Sequence, residues 1–219
     1  MYINRTIYTF CLLLLLTTNL FAEWNNYVIN YKKELFGKGS KTWQIKAYNE
    51  NWIYFGNKNG LLQYEGSDWK RYPLHNESDV RSLFVSKKLN RIYVGGDSEF
   101  GYFQPHTNGQ LRYTNLSDSL PPEKRFNGSY WGVYQVDNLF YYVADWVVVK
   151  QFGDEFSLVS ASAKIDCSGV VNGSLYIGTS KGVFVLVGNK FFPLTGGDLL
   201  KGKHIRSIVS YRTGMLVAT

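Results

Sequence analysis

The sequence predicts an all-β fold assembled from repeated four-stranded antiparallel units, and three observations predict it. An apolar–aromatic–glycine phrase recurs, as "IYFGNKNG" from Ile53, "IYVGGDSEFG" from Ile92 and "LYIGTSKG" from Leu175. Aromatic residues make up 17% of the 219 residues, and 21 Gly stand against 5 Pro. That balance favours short strands joined by glycine-containing turns. Beyond the N-terminal apolar run, apolar residues alternate or form short blocks, and no stretch carries helical periodicity.

The units can be taken in order. The residues just before the glycine phrase turns, Tyr54, Tyr93, Tyr141, Tyr176 and Leu216, mark five copies spaced 39, 48, 35 and 40 residues apart. Each copy opens with an inner strand: "TWQIKAY", "VRSLFVS", "YWGVYQV", "KIDCSGVV" and "IRSIVSY". A tight turn follows, and Asn172-Gly173 is the strongest hairpin signal because both residues tolerate positive φ. The marker strand comes next, nearly continuous in apolar residues, as a strand buried on both faces requires. A third strand ("GLLQYE", "EFGYFQP", "VVVKQF", "GVFVLVG") and an outer strand ("DWKRYPL", "QLRYTNL", "EFSLVS", "KFFPLT") complete the unit. Four strands repeated at about 40 residues are the signature of β-propeller blades.

The fifth copy stops at Thr219, two strands short of a blade. A ring of blades needs closure to hide its edge strands. The expectation is therefore about four and a half blades of an incomplete propeller, the N-terminal part of a longer protein or a truncated product. Residues 23–219 expressed alone are expected to aggregate through their open edges.

Residues 1–22 read as a secretory signal peptide. Arg5 precedes the apolar run "FCLLLLLTTNLFA", and cleavage is expected after Ala22, with an uncleaved signal anchor as the alternative. Residues 23–41 form an N-terminal segment in which "YVINY" is a candidate ring-closing strand. Residues 42–219 form the propeller. Of the 24 Lys and Arg, 23 lie beyond the leader, against 17 Asp and Glu, and they are scattered singly. No basic face or basic run points to nucleic acid. Beyond the leader Cys167 stands alone, so no internal disulfide forms there, and its apolar strand context reads as a small buried hydrophobe.

Catalytic motifs fare poorly. "GTSKG" (Gly178 to Gly182) matches the G-x-S-x-G nucleophile elbow, but that elbow needs a helix after the turn, and here a strand follows. The corresponding turn of the first copy reads "GNKNG" without a serine. His75, His106 and His204 lack metal-ligand spacing, so neither a metal nor a cofactor is expected. Asp97, Glu99, Asp145 and Asp166 are carboxylates among which linear spacing singles out no glycosidase pair.

One position varies in a way that suits binding. Ten to twelve residues before each marker, near the start of each inner strand, stand Trp43, Arg81, Trp131, Asp166 and Arg206. Inner strands surround the channel of a propeller, so these side chains are expected to converge on one mouth. Indole faces suit stacking on sugars, while Arg and Asp suit hydroxyl or carboxylate partners. Core packing and inter-blade ion pairing are the competing explanation.

The stretches "WIYFGNKNGLLQYEGSDWKRYPL", "VRSLFVSKKLNRIYVGGDSEFGYFQP" and "GSLYIGTSKGVF" closely resemble the two-component regulator propeller repeats, over roughly Thr42 to Thr219. The third copy, "YYVADWVVVK", departs from the pattern by lacking the glycine. The resemblance implies the periplasmic sensor region of hybrid histidine kinases or triple-tyrosine-motif regulators, exported and anchored in the inner membrane by segments not found in this sequence. It implies a non-enzymatic sensor of an oligosaccharide or other small extracytoplasmic ligand, working with downstream signalling domains, with a homodimer as a further partner. It carries over no binding residues. The alternatives are a propeller polysaccharide lyase or glycosidase, and a truncated interaction scaffold that does not signal.

Overall fold

The computed structural model describes Tyr31, residues 41–49 and residues 51–219. The chain divides into units of residues 1–32 and 33–219, and every described residue but Tyr31 lies in the second. The expected leader and ring-closing strand fall outside the described residues, Tyr31 apart.

The described residues form four complete blades and the first hairpin of a fifth. Blade 1 holds β1 (Thr42–Ala47), β2 (Ile53–Asn57), β3 (Gly60–Glu65) and β4 (Asp68–Tyr72). Blade 2 holds β5 (Val80–Ser86), β6 (Arg91–Gly96), β7 (Phe100–Pro105) and β8 (Leu111–Asn115). Blade 3 holds β9 (Tyr130–Val136), β10 (Leu139–Ala144), β11 (Val147–Phe152) and β12 (Glu155–Ser160). Blade 4 holds β13 (Ile165–Val171), β14 (Ser174–Thr179), β15 (Gly182–Val187) and β16 (Lys190–Pro193), and β17 (Ser207–Tyr211) and β18 (Gly214–Ala218) follow. Each sheet is an antiparallel meander in chain order, with the repeat-derived strands where the sequence places them. The 48-residue spacing between the second and third markers arises from the long connection after β8, which carries two short 3-10 turns at Ser117–Ser119 and Pro122–Lys124. The Asn172-Gly173 hairpin has φ of 47° and 72°, both positive as the turn requires.

The core lies between the blades, and the period-2 alternation of the marker strand explains why. On β10, Phe140 and Tyr142 face the cluster that includes Tyr93 and Phe100 of the preceding blade and Tyr130 at the start of β9. Tyr141 and Val143 face the opposite cluster, with Ile165, Leu175 and Ile177. One strand thus feeds two cores. Aromatic pairs dominate the first of them: Tyr93 stacks on Phe140 at 4.0 Å and Phe100 lies 4.1 Å from Tyr142. Such pairs add about 0.5–1.5 kcal/mol each beyond their buried area.

The repeated glycine differs from its expected role. Gly56, Gly95 and Gly178 lie inside β2, β6 and β14 rather than in the turns that follow. A β-carbon on Gly95 would stand 2.7 Å from the Tyr130 Cβ and 2.8 Å from the Tyr130 carbonyl oxygen. The glycine lets the next inner strand approach the marker strand. Val143 takes this register position in blade 3, so the missing glycine of "YYVADW" leaves the hairpin itself intact. "GTSKG" is likewise a strand–turn–strand hairpin between β14 and β15.

Candidate ligand site at the inner-strand bulges

Four of the five residues singled out by spacing share one backbone feature, and the fifth, Arg206, holds the equivalent place before its ladder. In each complete blade the ladder between the inner strand and its neighbour skips one inner-strand residue. Trp43 falls between the pairs Thr42–Asn57 and Gln44–Gly56, and Arg81 between Val80–Gly96 and Ser82–Gly95. Trp131 falls between Tyr130–Ala144 and Gly132–Val143, and Asp166 between Ile165–Thr179 and Cys167–Gly178. Arg206 precedes the pair Ser207–Ala218, and its N–H donates to the Ala218 carbonyl at 2.8 Å. A bulge leaves one residue without a cross-strand partner and re-aims its side chain. The varying linear distance to the marker reflects hairpin length; the register is the same throughout.

Three of these side chains meet. The Arg81 guanidinium carbon lies 4.1 Å from the Trp43 ring centre and 5.1 Å from that of Trp131. The two indoles pack edge to face at 5.5 Å. Lys41 completes the row, its Nζ 3.8 Å from the Trp43 ring centre. Arg81 is also fully engaged in charge: its Nε and Nη2 donate to the two Asp97 carboxylate oxygens at 3.1 Å each, and Asp79 lies 3.3 Å away. Burial pushes the Asp97 carboxyl up, but hydrogen bonds from Arg81 and Ser129 outweigh it and the net shift is downward. For Arg81, then, the geometry is that of inter-blade packing and ion pairing.

Trp131 and Asp166 both line an open cavity. Trp131 is 45% exposed despite having a blade on either side. It borders a cavity of about 250 Å³ that Tyr134, Ile165, Asp166, Cys167 and Ser168 also line. The Tyr134 hydroxyl donates to the Ser168 carbonyl at 2.7 Å, tying the inner strands of blades 3 and 4 together beneath it. Asp166 is mostly buried, and His204 Nδ1 lies 3.2 Å from its Oδ2. Burial pushes the Cys167 thiol up to about 11, in keeping with a small packed side chain. Arg206 is exposed and joins neither the stack nor an ion pair among the described residues.

Spacing alone missed Asp97, Asp79, His204 and Lys41. Aligning the turns would have found the first: Asp97 and Asp145 are the first residues after β6 and β10, and Asp145 lies 3.5 Å from Lys164. Among the described residues no group of three His, Cys, Asp or Glu could hold a metal ion.

No family model and no curated protein matches the chain. Solved structures do. The extracellular domain of BT3049 from B. thetaiotaomicron, described as a hybrid two-component system, superposes with a TM-score of 0.60 at 18% identity over 80% of this chain. The fold is a β-propeller. The extracellular domain of BT4673, described in the same terms and from the same organism, gives 0.55 at 16% identity over 73% of the chain. PorZ, an essential surface component of the type-IX secretion system of Porphyromonas gingivalis, gives 0.51 at 13% identity over 80%. The chain spans 25%, 22% and 24% of those three structures respectively. The first two neighbours are of the class that the repeat resemblance indicates. Among the described residues no helix is long and apolar enough to cross a membrane.

Proposed function

We propose that this chain is an extracytoplasmic ligand-sensing propeller, the N-terminal part of a transmembrane regulator of the two-component type, and that it binds a small oligosaccharide without turning it over. The observation that carries the reading is the half-exposed Trp131 indole beside a cavity that Asp166 also lines, at the end of the propeller where the inner strands begin. An indole face provides a stacking surface for a sugar ring, and the carboxylate accepts hydrogen bonds from its hydroxyls. The extracellular domains that share the fold support the sensor assignment.

Signalling would follow from differential affinity. A ligand that binds one blade arrangement or dimeric state more tightly than another shifts the population toward it, by no more than that difference in affinity. The test is calorimetric titration of the protein with a panel of oligosaccharides, with chromatography of the recovered sugar. Saturable binding that Trp131→Ala weakens at least tenfold, with the sugar recovered intact, is the expected result. Cleaved sugar would replace the sensor by an enzyme, and binding indifferent to Trp131→Ala would move the site elsewhere.

A further inference from the structure

We infer that the cavity between Trp131 and Asp166 receives a cationic group of the ligand, an ammonium or a guanidinium; this rests on the ligand-sensing reading above and narrows its chemistry. Along the mouth, cations and indoles alternate: Lys41, Trp43, Arg81, Trp131. The Arg81 guanidinium sits against two indoles and is neutralised by the carboxylates of Asp97 and Asp79. An indole and a carboxylate meeting at an inner-strand bulge are thus an environment in which this protein already holds a cation.

The next bulge position repeats the environment but not its occupant. Position 166 carries a carboxylate where position 81 carries a guanidinium, in the same ladder register. The cavity there is bordered by the Trp131 ring, and Asp166 is the only carboxylate or cationic side chain in its lining. The remaining lining is apolar or neutral, including Ile165, Cys167 and Ser168. The nearby cation Lys164 faces Asp145, and the Asp166 carboxylate has beside it the largely exposed His204. An anionic ligand group would meet a like charge with no cation in the lining to offset it. A cation would gain both the carboxylate and the ring quadrupole. A metal ion lacks donors here, since no trio of ligating side chains is present among the described residues.

The experiment titrates the protein with three probes at neutral pH: glucosamine, glucose and agmatine, a guanidinium-bearing cation that is not a sugar. Glucosamine and agmatine are expected to bind, with glucose at least tenfold weaker. Asp166→Asn is expected to reduce glucosamine and agmatine affinity at least tenfold and glucose affinity by a smaller factor, so that the preference for glucosamine over glucose collapses, while Trp131→Ala weakens both sugars alike. Far-ultraviolet circular dichroism of each variant checks that the sheets are retained. Equal affinity for glucose and glucosamine, or glucosamine binding unchanged by Asp166→Asn, would overturn the cation inference and leave the sugar reading standing. Agmatine binding with neither sugar bound would uphold the cation site and remove the sugar reading. Absence of binding by all three probes would overturn both.

Discussion

Arg81 holds Asp97 with two parallel hydrogen bonds of 3.1 Å, and does so from between the indoles of Trp43 and Trp131. The pair joins the start of β5 to the turn after β6. Through the rings it also reaches the neighbouring blades. Arg81→Ala would remove the cation and leave Asp97, Asp79 and two aromatic faces without it, so it is expected to cost about 2 kcal/mol, between an exposed pair and a fully buried one. Arg81→Lys should recover less than half of that, because an ammonium cannot form the planar fork. Urea denaturation at neutral pH measures both. The Asp97 carboxyl is lowered in the folded state, so its contribution is complete above the ordinary carboxylate range and is lost as pH falls through the folded value. Asp97→Asn should therefore flatten the acid limb of the stability profile below about pH 4.

Gly95 tests the spacing of blades 2 and 3. An added β-carbon would stand 2.7 Å from both Ser82 Oγ and Tyr130 Cβ, and 2.8 Å from the Tyr130 carbonyl oxygen. Backbone cannot rotate away, so blades 2 and 3 would have to separate. Gly95→Ala is expected to destabilise by about 1–3 kcal/mol, the usual range for overpacking. Gly66→Ala is the control: its β-carbon meets nothing within 4 Å, and the cost there is the positive φ of 75° alone, about 1 kcal/mol. Thermal melts that rank Gly66→Ala as the more damaging would refute the packing account of the repeated glycine.

Strand order and register were legible because each blade repeats a strict period of two, and the repeats confirm one another. The glycine was legible as a signal but not in its role. A sequence cannot distinguish a glycine required by its own backbone from one required by a neighbour 35 residues on, as Gly95 is by Tyr130. The five positions were legible as equivalent places in the repeat, since one register generates them all. Their chemistry was not. Whether Arg81 is offered to a ligand or consumed by Asp97 depends on a turn 16 residues away, and the fate of Trp131 depends on a cavity formed with the next blade.

Glu99 is buried to 3% exposure, with Oε1 accepting the Asn76 backbone N–H at 3.0 Å. Burial raises its carboxyl above the ordinary value, and the Asn76 hydrogen bond only partly opposes this. A raised folded value means that the charged form is the less stable one in place, so the contribution present at low pH declines as pH rises through the folded value. Glu99→Gln keeps an acceptor for Asn76 and removes the buried charge. It is expected to be at least as stable as the parent at pH 7 and to lose that advantage at pH 4. Glu99→Ala, which orphans the Asn76 N–H, should cost about 1–3 kcal/mol at both. Denaturant titrations at the two pH values separate these outcomes; a Glu99→Gln variant weaker at pH 7 than at pH 4, relative to the parent, would reverse the sign and refute the argument.

Cys167 provides the last test, because its chemistry reports on whether the inner strand of blade 4 is packed as described. The thiol lies beneath the mouth cavity, and burial pushes it up to about 11. The thiolate is the reacting species, so at pH 8 its population is roughly two orders of magnitude below that of an ordinary thiol with a value near 8.5. The greater intrinsic nucleophilicity of a more basic thiolate offsets part of this, leaving alkylation about tenfold slower or more. Iodoacetamide labelling of the native protein, read by mass spectrometry on the peptide that contains Cys167, should show that retardation, and 6 M guanidinium should abolish it. Labelling in the native state at the denatured rate would mean that β13 is not held against β14 and β17, and the cavity beside Trp131 would have no fixed wall.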